Sequence, residues 1–264
     1  MYKTIMKDLK VAVLGIFHKE AFMIPYYQAY YGNLFGNENI YALGDPASDW
    51  ALSMFNKANF ILLNAEFQGH HKLHCETVPK IQNQLLEIYD IVIFAEADEF
   101  IVPDPEKYTD LKDFLLKNKD DHFTVQGYNV IHDVNSEPPL DPRLPLLKQR
   151  KYWYKHGGIN GGGESKLLIT RKGNVWYDAG FHWSNPCIPE HPDLYNFHLK
   201  QIDFDIRNSR VKVRYDTNLP IHSDLHIFSR ENTFDSELLN THLDQFNSSN
   251  VELIPEKFKN ILIV

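Results

Sequence analysis

Apolar and polar positions along the chain alternate between two regimes. Short continuous apolar runs at residues 11–17 (Val-Ala-Val-Leu-Gly-Ile-Phe) and 91–95 have the length and composition of buried strands, and residues 40–43 and 60–64 read as two further strands. Residues 21–31 and 78–89 instead repeat their apolar positions at helical spacing. The cluster Gly44-Asp45-Pro46-Ala47-Ser48-Asp49 predicts a turn, with a helix beginning near Trp50. Strands alternating with helices predict an α/β protein whose mixed, mostly parallel sheet is flanked by helices. Ligands of such sheets bind at the carboxyl ends of the strands. His18, Asp45, Asn64 and Glu96 lie at or just after predicted strand ends, so they are expected to gather along one edge.

The pattern weakens in the second half. Residues 107–119 predict a helix and 122–132 a strand, while four prolines (Pro138, Pro139, Pro142 and Pro145) make residues 136–147 a loop. Residues 156–166 contain five glycines, which let backbone approach a ligand closely, and end in Glu164-Ser165-Lys166 without the Gly-Lys-Ser/Thr of a Walker loop. Arg207, Arg210, Lys212 and Arg214 are expected to form one solvated helix face. The chain is expected to divide into a domain of residues 1–205 and a helical extension, 206–264, packed on it and carrying no chemistry.

Composition narrows the function. The net charge is −8, and the densest basic patch is the short Lys148-Gln149-Arg150-Lys151, so no nucleic-acid footprint is present. No apolar run approaches the roughly 20 residues that span a bilayer, and the charged residues 1–10 do not read as a signal peptide; the expectation is a soluble cytoplasmic protein. Cys75 and Cys187 allow one disulfide.

The chemistry concentrates at residues 91–103, where an apolar strand runs into Glu96-Ala97-Asp98-Glu99. Continued strand alternation would aim Glu96 and Asp98 the same way. Paired buried carboxylates are costly unless neutralised, and Mg²⁺ or Mn²⁺ with hard oxygen ligands would neutralise them. An ordinary polar loop after a strand accounts for the same residues.

Glu96-Ala97-Asp98 resembles the Asp-x-Asp motif of nucleotide-sugar glycosyltransferases of GT-A fold, and Ala-Asp-Glu-Phe-Ile is similar to the variant in bacterial family 2-like and family 92-like members. The first acid here is Glu rather than Asp. The resemblance implies a GT-A-type fold and transfer of a sugar from a nucleotide-diphosphate donor to a glycan or lipid-linked acceptor. It implies Mn²⁺ or Mg²⁺ on the diphosphate, held by Glu96 and Asp98. A late His completes the metal shell in several such enzymes, and both His182, in Gly180-Phe181-His182, and His198, in Phe197-His198-Leu199-Lys200, resemble that element. Lys19-Glu20 falls at the corner where relatives carry Asn-Glu after the first strand. The turn at Asp45 resembles their nucleotide-contacting Asp-Asp-Gly-Ser-x-Asp, without its first Asp and its Gly. On this reading Asp45 hydrogen-bonds the base, Phe17 stacks on it, and Lys166 and Lys200 meet diphosphate charge. The glycine-rich segment reads equally as a lid and as a plain hairpin loop. Glu164 is the candidate general base, and Asp178 the next. Lipid-linked acceptors leave room for a peripheral membrane contact. A metal-dependent phosphoesterase and a non-catalytic nucleotide-sugar binding protein stand as alternatives.

Overall fold

The computed structural model of the chain describes residues 9–18, 20–46, 49–64, 71–157, 163–216 and 234–261. Strand β1 (Val11–Ile16) leads to helix α1 (Ile24–Phe35), β2 (Ile40–Gly44), the short α2 (Asp49–Leu52), β3 (Asn59–Leu62), α3 (His71–Leu85) and β4 (Ile91–Phe94). An acidic turn then opens β5 (Glu99–Pro103), followed by α4 (Leu111–Lys117), β6 (His122–Ile131), β7 (Tyr152–Lys155) and β8 (Leu167–Thr170). A hairpin of β9 (Trp176–Tyr177) and β10 (Ser184–Asn185) precedes the long β11 (Glu190–Gln201). Helices α5 (Phe204–Asp216) and α6 (Phe234–Ser248), strand β12 (Glu252–Leu253) and the turn-long α7 (Glu256–Lys259) complete the described chain.

The fold is α/β, with a central mixed sheet flanked by helices. The sheet runs β12-β7-β6-β8-β4-β1-β2-β3, with β11 pairing β5 and β6. β3, β2, β1 and β4 pair in parallel. From β4 onward through β8, β6, β7 and β12 the pairs are antiparallel. This division follows the sequence: β1 and β4 are buried along nearly their whole length, as central parallel strands must be. β12 adds an edge strand, and Phe258 packs with Trp153 and Phe197, so the last residues belong to the same core.

Helix α1 shows how local sequence serves the site. Pro25 lies in its first turn, and Gly36, at φ 92°, ends it with its N–H on the Gly32 carbonyl at 2.8 Å. Tyr27, Tyr30 and Tyr31 fall on one face by their spacing. Their hydroxyls donate to the carbonyls of Ala95 (3.2 Å), Ile101 (2.7 Å) and Glu99 (3.0 Å), which brace the backbone on both sides of the acidic turn.

Cys75 and Cys187 form no disulfide. Among the described residues no helix is long and apolar enough to cross a membrane.

Candidate active site

Between β4 and β5 the chain does not continue as a strand. The Glu99 N–H bonds the Glu96 carbonyl at 3.0 Å, and the Glu99 carboxylate accepts the Glu96 N–H at 2.9 Å, closing a tight turn. Strand alternation therefore does not govern Glu96 and Asp98, and the two carboxylates meet different partners.

Three long-range elements bring cations to them. β8 lies antiparallel to β4 with Ile93 beside Ile169 and Val92 beside Thr170; that register, carried on, sets Lys166 opposite Glu96. The Lys166 ammonium lies 2.6 Å from Glu96, 2.8 Å from Glu99 and 3.3 Å from Glu164. β11 pairs His198 with Glu99 on one side and with Asn129 of β6 on the other. His198 Nδ1 is 2.7 Å from Asn129 Oδ1 and 3.2 Å from Glu164 Oε1, and its Nε2 is 3.6 Å from Asp98 Oδ1. Nδ1 is thus within hydrogen-bond range of two side-chain oxygens, while the separation of Nε2 from Asp98 is too long for a hydrogen bond. Finally α5, capped by Asp203 on the N–H groups of Asp205 and Ile206, projects Arg210 to Glu20 (2.7 Å) and Asp98 (2.9 Å).

These contacts decide the protonation states. Burial alone would raise every carboxyl here. At Asp98 the Arg210 guanidinium and His198 outweigh burial and hold the acid well below the usual range. At Glu96, Lys166 does the same. Glu164 is driven far down by His198 and Lys166. Glu99 is the exception: its burial prevails and its pKa rises. Burial would lower His198, but Glu164 and Asp98 raise it.

The expected edge of strand ends does form. His18 Nδ1 pairs with Asp45 at 2.5 Å, joining the ends of β1 and β2. Glu20, Asp98, Glu96, Glu164, Lys166 and His198 form one connected network. Lys200 is exposed on β11, and its charge contributes to lowering Asp98.

Several expectations are corrected. Phe17 offers no face to a base, because it is fully buried edge-on against Tyr27 and Phe55. Lys166 is buried under three carboxylates and cannot reach a diphosphate. Glu164 lies against Lys166 and His198, which lower its pKa, an environment that works against the base role expected of it. Asp178 lies on the β9–β10 hairpin with its side chain exposed, and its carbonyl accepts the Cys75 thiol at 3.0 Å. His182 neighbours the network: its Nδ1 bonds the Gly163 carbonyl, and burial lowers its pKa, which leaves Nε2 as a neutral lone pair. Lys19 and residues 158–162 of the glycine-rich segment lie outside the described residues. Arg210 is the residue that the sequence reading missed. The signal available was Arg207 and Arg210 three apart, directly after the strand that carries His198 and Lys200.

The four metal ligands implied by the resemblance fit a resident divalent ion poorly. Both Asp98 oxygens face cationic nitrogens, and Glu96 holds the Lys166 ammonium. Among the described residues no three His, Cys, Asp or Glu side chains converge as a metal shell requires.

No family model matches the chain, and no curated protein matches it. Solved structures resemble it distantly. TarS of S. aureus in complex with UDP-GlcNAc is 15% identical, with 91% of this chain and 74% of that one covered and a TM-score of 0.38. A mannose-1-phosphate geranyltransferase from Thermus thermophilus is 11% identical over 88% of this chain and 68% of that one, with a TM-score of 0.33. A CMP:2-keto-3-deoxy-manno-octonic acid synthetase complexed with CTP is 10% identical over 90% and 86%, with a TM-score of 0.29.

Proposed function

We propose that the chain is a glycosyltransferase that takes a sugar from a nucleotide-diphosphate donor and passes it to a glycan or lipid-linked acceptor. The observation that carries this reading is the convergence of charged side chains at the carboxyl edge of β1, β2 and β4. There the His18–Asp45 pair stands beside the Glu20–Arg210–Asp98 and Glu96–Lys166 pairs. Among the described residues His18 Nε2 is buried without a hydrogen-bond partner. With Nδ1–H donated to Asp45, that nitrogen suits an N–H of a nucleobase. Lys200, exposed and near Asp98, lends positive charge to the diphosphate end.

On the acceptor side, His182 takes the role first given to Glu164. A neutral imidazole whose Nε2 makes no hydrogen bond among the described residues can receive a hydroxyl proton near neutral pH, whereas the Glu164 carboxylate is already engaged by Lys166 and His198. Trp176 (55% exposed) and Trp183 (56% exposed) border this region on the hairpin and offer faces on which a sugar ring stacks, which favours a glycan acceptor.

The test is nucleotide-sugar hydrolysis without acceptor, in wild type and Asp98→Asn. Slow release of one nucleoside diphosphate, lost in the variant, is expected. Donor binding without any turnover would favour the non-catalytic reading. Silence from wild type, with no thermal shift by any nucleotide, would remove the donor site altogether.

A further inference from the structure

We infer that Arg210 supplies the positive charge that a resident divalent ion would supply at the acidic turn, and that a nucleoside diphosphate binds through it without a metal. This rests on the nucleotide-sugar reading of the site and goes beyond it.

Arg210 Nη2 lies 2.9 Å from Asp98 Oδ2 and 2.7 Å from Glu20 Oε1, and Nε lies 3.2 Å from the same Glu20 oxygen. A Mg²⁺-type ion needs carboxylate oxygens at about 2.0–2.1 Å in near-octahedral array. A guanidinium already seated on Asp98 would repel such an ion. The other Asp98 oxygen has His198 Nε2 3.6 Å away, so each oxygen of that carboxylate already has a nitrogen neighbour. Glu96 and Glu99 each place one carboxylate oxygen on Lys166.

Arg210 also differs from Lys166 in what it can still do. The Lys166 ammonium is 1% exposed, enclosed by its carboxylates, whereas the Arg210 side chain is 17% exposed. A guanidinium has five N–H groups. The Nε proton and the Nη2 pair are spent on Glu20 and Asp98, while the Nη1 pair makes no hydrogen bond among the described residues. A planar N–H fork with its position fixed by two carboxylates is suited to phosphate oxygens. Glu20 and Asp98 then act as positioning residues: they hold the guanidinium rather than an ion.

The two halves of the inference are separable by experiment. The first measurement is Mn²⁺ titration of the full chain, without nucleotide, followed by electron paramagnetic resonance. The wild type is expected to leave the free-ion signal intact. Arg210→Gln is expected to gain Mn²⁺ binding, because Glu20 and Asp98 lose their cation, a change that a merely structural role would not produce. Stoichiometric Mn²⁺ binding by the wild type, abolished in Asp98→Asn, would overturn the inference, and this arm needs no Arg210 variant to fold. The second measurement is calorimetric binding of UDP, GDP and CDP in EDTA and in Mn²⁺. Equal affinity in both, weakened roughly 10- to 100-fold in Arg210→Lys, is expected, the size of losing charged hydrogen bonds. Affinity that appears only with Mn²⁺ overturns it. If none of the three binds in either condition, the nucleotide-sugar reading falls, while the Mn²⁺ titration still decides whether Arg210 stands where an ion would.

Discussion

Arg150 and Arg210 are both guanidiniums drawn into the protein beside carboxylates, yet their surroundings differ in kind. Arg150 is fully buried and satisfied mainly by backbone: its nitrogens donate to the carbonyls of Ile202, Pro138 (3.0 Å) and Gln149 (2.8 Å), with Asp203 at 3.0 Å. Asp203 in turn caps α5 and accepts the Leu140 N–H, so this network ties the proline-rich loop to β11 and α5. Arg210 is satisfied by carboxylates alone and keeps a solvent-facing side. The pKa shifts follow the surroundings. Burial lowers Arg150 against the pull of Glu137 and Asp203, whereas at Arg210 Glu20 and Asp98 overcome burial and raise it. The acidic site also keeps a buried acceptor that has no hydrogen bond among the described residues, Asn196 Oδ1. A buried charge whose every neighbour is spoken for builds structure. One that leaves donors and acceptors over is arranged for something else to arrive.

The largest expected effect tests the structural half of this contrast. Arg150→Met strands Asp203 and Glu137 and leaves three carbonyls without donors. A loss of about 3–5 kcal/mol in unfolding free energy is expected from urea denaturation. Ligand affinity of the folded fraction should be unchanged. Arg210→Gln, whose partners can reach water, should cost clearly less stability and change binding instead. Equal stability losses in the two variants would erase the distinction.

A middle-sized effect concerns the helices that present Arg210. His242 of α6 donates from Nε2 to the His132 carbonyl at 2.8 Å, and its Nδ1 accepts from Arg207 at 3.1 Å. The imidazole is therefore neutral. Burial and the Arg207 charge push its pKa down to about 4, opposed by the His132 hydrogen bond and by Asp203. The unfolded chain, with a His pKa of about 6.5, binds this proton first. Stability is therefore highest above pH 6.5 and falls as pH drops towards about 4, by about 2 kcal/mol after allowance for solvent screening. His242→Gln, which keeps an amide in place of the ring, should flatten that part of the acid limb. Denaturant midpoints at pH 7, 5.5 and 4.5 for both proteins measure it, and identical slopes would refute the assignment.

The legibility of these regions in the sequence was uneven. The strands β1, β2 and β4 were readable because a buried parallel strand is a continuous apolar run, whereas β3 is an exposed edge strand despite its apolar run; the gathering of His18, Asp45 and Glu96 followed from strand order alone. The acidic turn was readable as chemistry. Its partners were not. Arg210 is 112 residues from Asp98, and only the pairing of β11 between β5 and β6 brings α5 back over the turn. A helix with arginines three apart reads locally as a solvated face, and Arg150 reads only as part of a short basic patch. Phe17 failed for a related reason. An aromatic residue at a strand end packs inward or faces a ligand according to the helices around it, and here Tyr27 and Phe55 enclose it.

The smallest expected effect on stability sharpens the comparison on the acceptor side. In the β9–β10 hairpin Asn185 pairs with Trp176, and the Asp178 N–H bonds the Trp183 carbonyl at 3.0 Å. Directly opposed residues of an antiparallel pair share a face. Trp176, Asp178, Trp183 and Asn185 therefore lie on one side, and all four are exposed, while Tyr177, on the other side, is buried with its hydroxyl on the Leu167 carbonyl at 3.2 Å. The hairpin is anchored through Tyr177, so the two tryptophans contribute little to folding. Trp176→Ala and Trp183→Ala should each change stability by no more than about 0.5 kcal/mol, as exposed substitutions do. Loss of sugar stacking should instead raise the acceptor KM roughly 5- to 30-fold, the equivalent of about 1–2 kcal/mol, with nucleotide affinity unchanged. A change in nucleotide binding with the acceptor KM intact would move the hairpin from the acceptor side to the donor side.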